Sequence, residues 1–326
     1  MIPRQHILDT YWKFAAARQD VFFSRIFAQH PPWSDNPIIA SYKFCNSYRA
    51  SDRVSQYLIK NVIYNGCQRE EEVLFRILLF KIFNKIETWQ YIENRVGTIK
   101  LRNFNIEQYA RILDEAQNRQ AIYTSAYMSC ATKAYGYDKK HQNHLALICQ
   151  MVQKDNLVKK IIASRSLHEV FNLLVAYPLI GHFMAYQLAT DINYSEVVDF
   201  DENSFTAAGP GAVRGIKKCF VSTGTKTLED VIRWMQENQK QEFTRLGLEF
   251  KSLWGRPLQL IDCQNLFCET DKYCRAAFPE LPSNRKRIKA RFKHNSERID
   301  YFYPPKWGIN EKIKMISMKN GKVALN

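Results

Sequence analysis

The chain has 326 residues, 46% hydrophobic and 24% charged, which is enough for one large domain or two ordinary ones and typical of a soluble globular protein. Only 12 glycines and 11 prolines occur, which argues against a turn-rich β-sandwich and against long disordered linkers. Lys and Arg outnumber Asp and Glu by 47 to 32, a net charge of +15 that exceeds what solubility needs and points to a polyanionic partner.

The N-terminal MIPRQHILDT has no apolar signal core, and no apolar run approaches the ~18 residues of a membrane span. No segment reads as a basic amphipathic membrane anchor. The eight cysteines form no C-x-x-C pair, so a cytoplasmic (or nuclear) protein with reduced thiols is expected, with no metal and no cofactor.

The predicted elements are mostly helices. PPWSDNPI (31–38) is a proline-rich loop, and YKFCNSYRASDRVSQYL (42–58) mixes arginines with aromatics. EEEVLFRILLFKIFNKIETW (70–89) has a broad apolar face behind a glutamate-rich first turn, the pattern of a buried helix. Residues 106–119 and 144–163 are also helical. KAYGYDKKH (133–141) reads as a break between an N-terminal lobe, 11–135, and a second lobe, 140–282. FNLLVAYPLIGHFMAYQLATDI (171–192) reads as two apolar helices joined by a short turn ending at Gly181. Thr227 opens a helix over 227–247 with Asp230 three residues on, a capping-box spacing. PLQLIDC (257–263) alternates briefly and is the best strand candidate. From Ser283 a basic segment, 283–312, begins; SNRKRIKARFKHNSER holds seven Lys or Arg and one Glu.

Four constellations carry possible chemistry. Arg49 and Arg53, with Tyr48 and Asn46 beside them, suit a phosphate backbone and an unstacked base; the plainer reading is a helix start with a surface ion pair. The turn at 177–181 can aim the first amides of the second helix, from Gly181 on, at a DNA phosphate; alone, an ordinary helical corner is the better reading. VDFDENSFTAAGPGAVRGIKKCF (198–220) crowds Asp199, Asp201 and Glu202 before Gly209 and Gly211, with Arg214, Lys217 and Lys218 behind. Such acids can stabilise an oxocarbenium-like sugar and align a water, while the glycine turn offers amides to a phosphate. A solvated acidic loop is the alternative. In LIDCQNLFCETDKYCR (260–275), Asp262, Gln264, Asn265, Glu269 and Lys272 read either as a polar wall lining a base pocket or as a salt-bridged helix. Arg285, Lys286 and Arg287 add cations for phosphates. The 326 residues hold no G-x-x-x-x-G-K-[ST] and no zinc-deaminase pattern.

FCNSYRASDRVSQYL, FRILLFKIFNKIETW, YPLIGHFMAYQLATDINYS, DFDENSFTAAGPGAVRGI and LIDCQNLFCETDKYCR, in this order, resemble the alpha-glutamyl/putrescinyl thymine pyrophosphorylase family, clade 3. The same helical domain occurs attached to 5-hydroxymethyluracil DNA kinases, and the family is related to helix-hairpin-helix DNA glycosylases. The resemblance runs from about Tyr11 to about Arg291. It implies a mostly α, two-lobed, helix-hairpin-helix glycosylase-like fold, with the hairpin at Tyr177–Gly181 and the glycosylase aspartate at Asp201 or Asp199. Two positions depart from the glycosylase pattern: Leu179 replaces the first hairpin glycine, and Phe183 stands where lyase-type enzymes carry a nucleophilic lysine.

The expectation is a DNA-binding enzyme acting on a flipped, modified pyrimidine in double-stranded DNA, first of all a monofunctional glycosylase using Asp201 with Asp199 and Glu202. The alternatives are an enzyme that hypermodifies the base 5-substituent and a non-catalytic reader of modified DNA. A kinase or another base-modification enzyme is the expected protein partner.

Overall fold

A computed structural model describes residues 1–27, 31–126, 130–283, 285, 287–288, 290–293 and 299–315. The chain is mostly helical, as expected. In chain order the helices are α1 (Gln5–Phe27), α2 (Pro37–Ser41), α3 (Arg53–Tyr57), α4 (Glu70–Phe83), α5 (Ile86–Val96), α6 (Ile106–Gln117) and α7 (Lys140–Cys149). They continue with α8 (Leu157–Ile162), α9 (Leu167–Val175), α10 (His182–Asn193), α11 (Pro210–Cys219), α12 (Leu228–Arg245) and α13 (Leu260–Ala277). The described residues hold one two-stranded antiparallel sheet, β1 (Ile2–Pro3) with β2 (Phe220–Ser222). Among the described residues no helix is long and apolar enough to cross a membrane.

The described residues divide into two compact units. The first comprises those within Met1–Asp52, Phe205–Tyr301 and Pro305–Asn326; the second, those within Arg53–Ser204 and Phe302–Pro304. The chain thus leaves the first unit after residue 52 and returns at 205, and the break expected at 133–141 lies inside the second unit.

In the first unit α1, α11, α12 and α13 enclose the core. Tyr11 packs on Phe267 and Trp12 on Phe243, with ring centroids 4.7 and 5.0 Å apart. The strand expected at 257–263 is instead the start of α13. Gln259 caps it, its amide donating to Asp262 Oδ2 at 3.0 Å, so a carboxylate at the third helical position ends the apparent alternation. α12 begins at the expected capping box, Thr227 with Asp230.

In the second unit α4 is the central helix. Every residue from Glu72 to Phe83 is buried, the charged Glu72, Arg76 and Lys81 included. Its buried charges are matched. Arg76 donates to the carbonyls of Val62 and Ile63 at 2.7 and 3.1 Å, and Lys81 pairs with Asp191 of α10 at 2.9 Å. The helix expected over 70–89 stops at Asn84, which adopts a left-handed conformation (φ 47°), and restarts as α5. Asn156 (φ 51°) similarly precedes α8 and divides the helix expected over 144–163.

Candidate nucleic-acid interface

In the first unit the site rests on the close approach of α11 to α13. Gly209 caps α11 and Pro210 starts it. A Cβ at Gly215 would lie 2.1 Å from the Phe267 carbonyl oxygen, and one at Gly211 would lie 2.6 Å from Cys268 Sγ. Both glycines therefore let two backbones meet. Gly211, expected to face a phosphate, packs against Cys268.

That approach gathers three cations on one carboxylate. Asp271 of α13 is fully buried; Arg214 Nε lies 3.1 Å and Lys218 Nζ 2.9 Å from its oxygens, and Arg275 also pairs with it. Burial alone would raise the Asp271 pKa, but hydrogen bonds from Lys218 and Arg275 outweigh it and hold the carboxyl below its ordinary value. One carboxylate against three cations leaves two positive charges in excess at this locus. The Lys218 side chain is only 6% exposed and Arg214 23%, so Arg214 is the member that reaches water. Lys217 beside them is exposed.

The groups expected to line a base pocket lie largely buried and bonded to one another. Tyr48 Oη donates to the Arg256 carbonyl at 2.6 Å and accepts from the Leu253 amide at 3.1 Å. Asp262 accepts from the Arg49 amide at 2.8 Å, and the Arg49 side chain is itself buried. Asn46 accepts from Arg18 Nη2 at 3.1 Å and donates to the Ser51 carbonyl at 2.8 Å. Glu269 accepts from the Cys45 amide at 2.9 Å and pairs with Lys272 at 2.7 Å. Gln264 Nε2 lies 3.3 Å from Cys268 Sγ, and Asn265 is half-buried on the same helix. Asp52, which accepts from the Asn46 amide at 2.7 Å, belongs to this network. Removal from water pushes its pKa up to about 6, against the Asn46 hydrogen bond, and the Glu269 charge adds to the rise. Of the two readings of 260–275, the salt-bridged helix describes these bonds.

Within the first unit, residues 290–292 of the basic segment run as an extended ribbon along residues 41–43. Tyr42 bridges Arg291 in antiparallel fashion; the Lys43 amide donates to the Ala290 carbonyl, and the Phe292 amide to that of Ser41, both at 3.0 Å. Arg275 reaches the Arg287 carbonyl at 3.4 Å, and Lys272 the Lys43 carbonyl at 3.0 Å. The ribbon is thus tied back to α13, while Arg285, Arg287, Arg291 and Lys293 stay exposed. Lys286 lies outside the described residues. Arg291 and Lys293 fall in the 285–293 cluster expected to hold phosphates; Lys43, Tyr42, Trp33 and the Phe292 ring were not among the expected site residues, and the cation–aromatic alternation of YK (42–43) and RFK (291–293) was the available signal.

In the second unit, α9 and α10 are joined by the turn through Tyr177 and Gly181. Leu179 holds φ +69°, a left-handed conformation that favours glycine. Gly181 is the exposed cap of α10, and a Cβ there would meet nothing within 4 Å. Arg53 is exposed at the start of α3. Asp199 and Asp201 are exposed and Glu202 is half-buried. Asp201 Oδ1 accepts from the Asn203 amide at 2.9 Å, and its carbonyl from Ser204 Oγ at 2.6 Å. Asn193 fastens the start of this loop by a pair of hydrogen bonds to the Phe200 backbone, at 2.9 and 3.0 Å.

A family described as "5-hmdU DNA kinase, helical domain" matches residues 5–283. A relative from Bacillus phage SP10, named 5-hmdU DNA kinase, is 25% identical over 324 residues, covering 92% of this chain and 50% of its own length. The chain therefore spans about half the length of that curated relative. No solved structure matches the chain. These similarities overturn the expectation of a glycosylase hydrolase, because family and relative are named for a kinase, a transferase. The acidic block that carried that expectation has a local account: Asp201 closes its own turn onto the Asn203 amide, as an Asp in an exposed turn does. On the match across residues 5–283, the chain belongs to the family of 5-hmdU DNA kinase helical domains.

Proposed function

We propose that this chain serves hypermodification of DNA: it binds DNA bearing a 5-substituted pyrimidine and presents the 5-substituent for group transfer, leaving the glycosidic bond intact. The family match over residues 5–283 carries this reading, and the net charge of +15 supports a DNA partner. Phosphates are assigned to Arg214, Lys217, Arg285 and Arg287 in the first unit, and to Arg53 and the Gly181 turn in the second. Asp199 and Asp201 are assigned as acceptors for a hydroxyl on the base substituent. An exposed carboxylate can take a hydroxyl proton as the oxygen attacks a phosphoryl group.

The test uses matched duplexes containing thymine or 5-hydroxymethyluracil. Binding is measured by anisotropy, and nucleosides are analysed by mass spectrometry after incubation with a nucleoside triphosphate. Tighter binding to the modified duplex, with every base still joined to its sugar, is the expected result. A mass gain on the 5-substituent would place the transfer chemistry in this chain as well. Equal affinity for the two duplexes, or release of free base, would overturn the proposal.

A further inference from the structure

The ribbon formed by residues 41–43 and 290–292 has a composition that the core does not require. Phe292 is 37% exposed, its ring 6.3 Å from that of Trp33. Arg25 lies 5.0 Å over the Trp33 ring, and Arg291 lies 4.5 Å over Tyr42. Lys43, Arg291 and Lys293 are exposed, and none has a carboxylate partner among the described residues. An apolar ring more than one-third exposed among cations without carboxylate partners is not accounted for by the core. It is the arrangement that binds nucleic acid whose bases are not already stacked.

We propose that this ribbon is a binding platform for unpaired DNA. Lys43, Arg291 and Lys293 hold successive phosphates, and Phe292, backed by Trp33, stacks on a base. Along an extended segment neighbouring side chains alternate in direction, so Phe292 faces away from Arg291 and Lys293. Lys43, next to the Tyr42 that pairs with Arg291, lies on the Phe292 face, so a strand on the ribbon edge meets Phe292 with Lys43 on one side and Arg291 with Lys293 on the other. Duplex DNA cannot use the ring, because its bases are stacked on each other. The main-chain bonds between 41–43 and 290–292 hold the platform in place without help from the side chains that would contact DNA. The inference rests on the proposed function only for the view that DNA is the polyanion. A base held out of the helix leaves its opposite partner unpaired, and an unpaired nucleotide of this kind is what the ribbon would grip.

The experiment uses the whole chain and a fluorescent thymidine-only oligonucleotide, with a duplex of unmodified DNA as comparison. Affinities are measured by anisotropy across a salt series for wild type, Phe292→Ala, Phe292→Leu and Arg291→Gln. Stacking on an aromatic contributes about 1–3 kcal/mol per base, so Phe292→Ala should weaken single-strand binding by about fivefold to 150-fold. Phe292→Leu should lose most of the same affinity, since an apolar side chain without a ring cannot stack. Both should leave duplex binding within about twofold. Arg291→Gln should reduce the slope of log affinity against log salt by about 0.7, the value for one phosphate on a single strand. Unchanged single-strand affinity in Phe292→Ala, or an equal loss on duplex, would overturn the platform. The oligonucleotide carries no modified base, so failure of the hypermodification test and failure of this one are separate results. Thermal melts of the variants should match wild type, as expected for side chains that lie on the surface.

Discussion

Replacing Gly215 by alanine sets two physical effects against each other. Residue 215 lies inside α11, where alanine is favoured over glycine by about 1 kcal/mol, so helix propensity alone predicts a more stable protein. The structure predicts the opposite. A Cβ there would lie 2.1 Å from the Phe267 carbonyl oxygen and 2.7 Å from its carbonyl carbon. Close carbon–oxygen contacts lie near 3.3 Å, so α11 and α13 would have to part by about 1 Å. The obstacle is helix backbone, which cannot rotate aside. Overpacking of this kind costs about 3 kcal/mol, leaving a net loss of about 2 kcal/mol and a melting temperature lower by about 4–8 °C. Gly211→Ala is the internal control. Its Cβ would meet Cys268 Sγ at 2.6 Å, which can turn away, and Cys268 Cβ at 3.0 Å, which needs only a small shift, so it should be the less damaging of the two, at about 1 kcal/mol. Urea unfolding followed by circular dichroism gives both values. Gly215→Ala at or above wild-type stability, or Gly211→Ala the more damaging of the two, would refute the reasoning.

Asp271→Asn should destabilise by about 3–5 kcal/mol at pH 7, because Lys218 and Arg275 would be left buried without their carboxylate. The Asp271 pKa is depressed on folding, so its contribution is complete above the unfolded value near 3.9 and is lost as pH falls through the folded value. Denaturation curves of wild type and variant should therefore begin to converge as pH falls below about 4 and meet only below the folded value; a gap that does not narrow at all below about pH 4 would argue for a packing role instead. Leu179→Gly should be at least as stable as wild type. Relief of the left-handed strain at φ +69°, about 1–2 kcal/mol, offsets the extra freedom glycine gives the unfolded chain. Leu179→Ala keeps the strain and loses the side chain, so it should be the less stable; the reverse order in thermal melts would rule the strain out.

Much of the helical framework was legible from local pattern. The run from Val73 to Phe83 has a broad apolar face, and α4 is buried on every side, Arg76 and Lys81 included. Thr227 with Asp230 marked the start of α12, because a capping box involves neighbours only. The ends of helices were less legible: Asn84 and Asn156 break long apolar patterns by taking a left-handed conformation, which asparagine permits without requiring. The strand expected at 257–263 failed for a similar reason, since a few alternating residues also fit the first turn of a helix.

The chemistry was harder to read, because it depends on which residues meet. Composition determined that the chain is strongly basic, and the order of its motifs determined its family, since both are properties of the linear chain. An acidic block beside a Gly-Pro-Gly turn suggested sugar chemistry. In the structure Asp201 closes its own turn, Gly211 packs on Cys268, and Arg49 and Lys218 are buried. Only the tertiary structure decided that Arg214, Lys218 and Arg275 share Asp271, and that residues 290–292 lie along 41–43 to raise an exposed phenylalanine among cations. Apart from Arg275, one turn along α13 from Asp271, those partners are far apart along the chain. A residue type states what a side chain can do, while burial and pairing decide whether its charge is spent inside the protein or offered to DNA.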